Sequence, residues 1–167
     1  MKRTYLAAAA ALFAVAAAPA AFAKCSVESE IKSFYDDFGK VINADEFAKD
    51  PSPALAFFDL KKVRLFDVNE PEEYTPATFK KHLIDVSMQF PGEVAFHDFQ
   101  YTCSGNVAVA TYLQTATGKM PDGSPWSMRL RTTDALEKTG GKWRIFHEHA
   151  SLPLDDKTLG AIMTKKP

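Results

Sequence analysis

Cysteine is nearly absent: Cys25 and Cys103 are the only two in 167 residues. Two thiols so far apart carry neither a metal-cluster nor a thiol-protease signature. Basic charge is also not in excess, with 20 Lys and Arg against 21 Asp and Glu and a net charge of −1. No dense basic stripe is visible, which argues against a nucleic-acid partner. There is no glycine-rich phosphate loop and no dinucleotide fingerprint, and nothing in the sequence asks for a cofactor. No repeat or long flexible linker divides the chain.

The first 23 residues read as a secretory signal peptide. Lys2 and Arg3 give a positive start, Leu6 to Ala18 is apolar, and Ala21-Phe22-Ala23 suits small-x-small cleavage. The apolar run is short for a membrane span, so no stable membrane anchor is expected. Lys24 before Cys25 argues against a lipidated cysteine. The expectation is a periplasmic or secreted protein with one domain over 24–167, somewhat more acidic once Lys2 and Arg3 are removed. In that compartment Cys25 and Cys103 are candidates for a disulfide, with free buried cysteines as the alternative.

Apolar spacing predicts helices first and strands last. Val27, Ile31, Phe34, Tyr35 and Phe38 recur at helical intervals from Ser26 to Phe38. A short helix is predicted over 44–49, another helical turn from Ser52 to Phe58, and a strand from Lys62 to Asp67. Thr75 to Phe90 has helical periodicity up to Pro91-Gly92. Val94 to Cys103, Val107 to Thr117, Trp126 to Lys138 and Lys142 to Ala150 read as strands joined by turns at 104–106, 121–123 and 139–141. The fold class is therefore α+β, with N-terminal helices packed on a largely antiparallel sheet.

The most suggestive stretch is Gly140 to Ser151. On a regular strand Trp143, Ile145, His147, His149 and Ser151 share one side, so an apolar face acquires two imidazoles and a hydroxyl. That is the pattern of a sheet floor turning polar inside a pocket. His147-Glu148-His149 also invites a zinc reading, but alternate residues supply no third or fourth ligand, and no metal is expected. Arg129 and Arg131 share strand parity and could grip an oxyanion. Their alternative is a solvated strand face or an ion pair with Glu148.

In order and spacing the chain resembles the nuclear transport factor 2-like superfamily, in its SnoaL-like and ketosteroid-isomerase-like branches. The carrying pieces are Val63-Arg64-Leu65-Phe66-Asp67, Pro71 and Tyr74, Gly105-Asn106-Val107-Ala108, Arg131-Thr132-Thr133, and Gly141 to Pro153. The resemblance implies a cone-shaped domain whose helices cover a strongly curved sheet. It also implies an open end that admits a ligand, and a homodimer. Arg131 and Asp67 match positions common in such sequences.

Asp67, His147 and His149 are thus the candidate catalytic residues, and Tyr74, Arg129, Arg131, Trp143, His147 and His149 the candidate ligand-binding ones. Asp67 has an Asx-turn alternative, and Tyr74 could merely close the same loop. Tyr35 is the one tyrosine on the first helix. With Asp67 and Asp98 it does not complete the tyrosine and two acids of the steroid-isomerase arrangement. The expected role is an exported module for binding a small, partly apolar organic molecule or for assembly. The alternative is an isomerase, cyclase or lyase acting on a small apolar carbonyl compound. In it Asp67 or a histidine removes a proton while Arg131 and the other histidine stabilise the oxyanion.

Overall fold

The computed structural model describes residues 25–68, 71–120, 122–158 and 160. The signal peptide expected over 1–23 lies outside them. Helix α1 (Glu28–Ile42) turns Ile31, Phe34, Tyr35, Phe38 and Ile42 to one buried face, the spacing that an amphipathic helix requires. Residues 43–49 form successive turns rather than the expected second helix. A 3-10 helix follows over Ser52–Phe57, where Pro53 suits the first turn because its missing N–H would have no partner there. Strand β1 is only Arg64–Phe66, and helix α2 is Phe79–Gln89. Phe79 is buried and its ring lies 4.7 Å from that of Phe58, which fastens α2 to the core.

Four long strands make the sheet: β2 (Gly92–Ser104), β3 (Val107–Lys119), β4 (Pro125–Thr139) and β5 (Lys142–Ser151). They pair antiparallel in sequence order, and β1 adds in parallel to β5, giving the order β1-β5-β4-β3-β2. The β4–β5 connection is Gly140-Gly141, both at positive φ (60° and 79°). A two-residue turn of that kind matches the twist of the flanking strands and favours glycine at both places. The helices lie on the inner face of the sheet, where Ala108, Ala110, Tyr112, Leu130, Leu136, Trp143 and Ile145 are buried.

Two bulges bend this sheet. On β2, Asp98 and Phe99 stand between the pairs His97↔Leu113 and Gln100↔Thr111, and Asp98 adopts φ 54°. On β5, Phe146 is extra between Leu136↔Ile145 and Ala135↔His147. Each bulge increases the local twist and curls the sheet around the helices. β4 itself runs in unbroken register against β3.

Cys25 is bonded to Cys103, with a Cα–Cα distance of 5.2 Å across a sequence separation of 78. The bond ties the start of α1 to the far end of β2. Closing a loop of this length in the unfolded chain is worth about 4 kcal/mol. Reduction, or Cys103→Ser, is expected to lower the urea midpoint by a corresponding amount without altering the native circular dichroism. An unchanged midpoint would show that the bond contributes nothing.

Candidate functional site

The Phe146 bulge decides which side chains enter the interior. Before it, Trp143 and Ile145 point inward, but after it the inward positions are Glu148 and Ala150. Thr132↔Ala150, Asp134↔Glu148 and Leu136↔Ile145 therefore share the inner face. His147 and His149 are carried to the outer face, contrary to the expected parity. There their rings sit 6.1 and 6.0 Å from that of Phe66, itself 41% exposed. Arg129 and Arg131 are also on the outer face and exposed. Arg131 donates to the Leu152 carbonyl at 3.3 Å and makes no ion pair with Glu148.

Trp143 is buried in the core, and its indole N–H donates to Glu30 at 2.8 Å. Asp98 stands exposed at the β2 bulge. Of the residues singled out from the sequence, Asp67 alone lines the main cavity.

That cavity measures about 610 Å³ and opens at one end of the sheet. Its walls come from the end of α1 and the turns after it, Asp67 and Val68, the end of α2, and the strand segments beginning β2 and β4 and ending β3. The lining is mostly apolar, with Ile42, Phe47, Val86, Phe90, Trp126 and Met128 prominent. Trp126 lies flat against Gly118: a Cβ there would sit 2.7 Å from the indole nitrogen, so glycine is what allows the ring its place. Asn43 closes α1 against β2 by donating to the Val94 carbonyl at 2.8 Å and accepting from the Val94 N–H at 2.7 Å.

Asp67 reaches the cavity as a carboxylate that is already held. His82 Nε2 lies 2.8 Å from its Oδ2, and the Val68 N–H donates to its Oδ1 at 2.6 Å. Burial alone would raise its pKa, but these hydrogen bonds and the neighbouring imidazole outweigh it and hold Asp67 below the ordinary carboxylate value. The His82 ring is stacked on Tyr74, with centroids 3.6 Å apart, and Tyr74 exchanges two backbone hydrogen bonds with Leu65. Tyr74 thus braces the His82–Asp67 pair.

A second acidic group lies deeper. Asp134 is fully buried, and its Oδ2 accepts from the Tyr35 hydroxyl at 2.6 Å and from that of Tyr112 at 2.9 Å. Its Oδ1 is buried and finds no hydrogen-bond partner among the described residues. Burial pushes Asp134 up to about 7 despite the two hydroxyls, and burial with the Asp134 and Asp67 charges raises Glu148 well above its ordinary value. Tyr35 and Tyr112 are likewise raised, by burial and then by the Asp134 charge. Phe96 and Phe99 pack around both tyrosine rings. Asp134 is six residues from Met128 on β4, roughly 20 Å along the strand, and does not line the cavity.

Asp134 was legible in one respect: it shares parity with Leu130, Thr132 and Leu136, all inward. His82 had no comparable signal, since nothing in its helical stretch distinguishes it from the lysines before it. Among the described residues no group of three or more His, Cys, Asp or Glu side chains could hold a metal ion.

Residues 31–155 match a family model described as a SnoaL-like domain. Similar solved structures include an NTF2-like protein of unknown function from Pseudomonas putida KT2440, with TM-score 0.63, 22% identity, and 84% of this chain and 96% of that one covered. An NTF2-like superfamily protein from Salmonella enterica has TM-score 0.65 at 18% identity, covering 78% and 93%. The association domain of C. elegans CaMKII has TM-score 0.57 at 16% identity, covering 74% and 93%. At these identities the likeness concerns the fold. No curated protein matches the chain.

The folded state keeps a proton on Asp134 that the unfolded chain releases between pH 3.8 and about 7. Stability is therefore full below that window and falls as pH rises through it, with Glu148 acting in the same direction. Asp67 acts oppositely, but only at pH values below its ordinary range. Asp134→Asn is expected to gain stability relative to the native protein as pH rises from 3.8 to about 7, as read by urea unfolding. A difference independent of pH would refute the buried neutral acid.

Proposed function

The chain belongs to the SnoaL-like domain family, and within it we propose that this protein binds a small, largely apolar molecule in the cavity beside Asp67. The observation carrying this reading is the cavity of about 610 Å³, whose mostly apolar wall includes a carboxylate held by His82. That volume suits a drug-sized or smaller molecule. Binding is favoured over acid–base turnover by the placement of the acids. The carboxylate at the cavity has a depressed pKa and is a weak base, while Asp134, whose proton affinity suits catalysis near neutral pH, is sealed beneath aromatic rings.

Export belongs to the same proposal. The leader-like N-terminus supports it, and the Cys25–Cys103 bond suits an oxidising compartment. The mature protein is expected to begin at Lys24. Pairing of two copies is also included, supported by Phe66, Val107 and Val109, which expose apolar surface on the outer sheet face. Sedimentation is expected to return twice the mass of the mature chain.

Nile red, a neutral dye, is expected to bind with a blue-shifted emission. Val86→Trp, which narrows the cavity, is expected to weaken that binding at least roughly tenfold while leaving the thermal melt nearly unchanged. His149→Ala, on the opposite face, is expected to leave binding unaltered. Dye affinity that ignores Val86→Trp but falls with His149→Ala would overturn the cavity assignment.

A further inference from the structure

Among the described residues every formal charge on the cavity wall is negative: Asp45, Asp67 and Glu93 line it, and no described lysine, arginine or histidine does. His82 balances Asp67, but Asp45 and Glu93 have no ion-pair partner among the described residues. They stand at the exposed rim, on opposite sides of the Asn43–Val94 clamp in sequence.

The backbone adds charge of the same sign. Helix α1 ends at Ile42, with Ile42 and Asn43 in the wall, and α2 ends at Gln89, with Val86, Ser87 and Phe90 in the wall. Both helices thus end at the wall of one space, and a helix C-terminus carries partial negative charge. The last turn of α2 contains no basic residue, and Lys40 in that of α1 pairs with exposed Asp37 rather than facing the cavity. Phe47, Phe90 and Trp126 line the same space, with the Phe90 and Trp126 rings 6.0 Å apart at 76°. Aromatic faces attract cations and are indifferent or repulsive toward anions.

We infer that the cavity selects a hydrophobic cation, an organic ammonium with an apolar ring body, and discriminates against carboxylates of the same shape. The inference rests on the cavity reading above and supplies its ligand class. The apolar wall takes the ring, while the rim carboxylates, the helix ends and the aromatic faces each favour the positive head. An anionic group entering the same space meets no lysine, arginine or histidine among the described lining residues, and the Trp126 N–H is a neutral donor. The arginines and histidines that would have received it stand on the other side of the sheet.

Three probes sharing one ring separate the two readings: naphthalen-2-ylmethylammonium, naphthalen-2-ylmethanol and 2-naphthoate. Titration into the full-length mature protein, followed by calorimetry, is expected to rank them ammonium, alcohol, carboxylate, with the ends separated by at least roughly tenfold. The ammonium affinity is expected to fall with salt. Asp45→Asn combined with Glu93→Gln, both at exposed positions, is expected to weaken the ammonium several-fold and leave the alcohol unchanged. Equal affinities for all three probes, each lost in Val86→Trp, would overturn the charge selectivity and leave the cavity reading standing. A carboxylate that binds tightest would also overturn it, and no binding by any probe would remove both.

Discussion

One extra residue on the last strand governs the chemistry of this fold. Phe146 has no partner of its own on β4, so the strand changes sides within a single step. Had the alternation continued, His147 and His149 would look toward the helices and Glu148 toward solvent. Instead an acid is forced opposite Asp134 in the interior, and the imidazoles join Phe66 and the two arginines outside. A bulge normally serves to bend a sheet. Here the bend and the sorting of charge are one event, and neither could be altered without the other.

The result is a molecule with two separate acidic regions. Near the open end, Asp67 is stabilised as an anion by His82 and by a backbone N–H. On the inner face, buried Asp134 and half-buried Glu148 stand opposite each other in register, where loss of water favours the protonated form of both and the Asp134 charge adds to the effect on Glu148. The two tyrosines, both donating to the same Asp134 oxygen, offset this only in part. A buried polar cluster of this kind restricts how the aromatic side chains around it can pack, which favours one arrangement of α1 over the sheet.

The fold was legible because its signals are local. The helical stripe from Ile31 to Phe38, the glycine pair at 140–141 and the branched runs from Val94 onward each specify their element without help from distant residues. The length of the strand containing Arg129 and Arg131 was also readable. The site was less so. A bulge depends on pairing with a neighbouring strand, and no residue type near Phe146 announces it. Parity arguments therefore held from Trp143 to Ile145 and reversed after it. Asp67 was found because a strand end marks it, whereas His82 becomes its partner only when α2 docks against β1. The residues 43–49 were read as a helix because their apolar spacing is too short to separate one from consecutive turns, and those turns form part of the cavity wall.

The two hydrogen bonds between Asn43 and Val94 have a mechanical meaning. They join the residue that follows α1 to the backbone of a sheet strand beside the opening, using a single amide for both directions of donation. Parting the two elements there strains both bonds together and bares the strand's own backbone groups to be satisfied anew, so one asparagine rivets helix end to sheet edge where no ladder of strand pairing can reach.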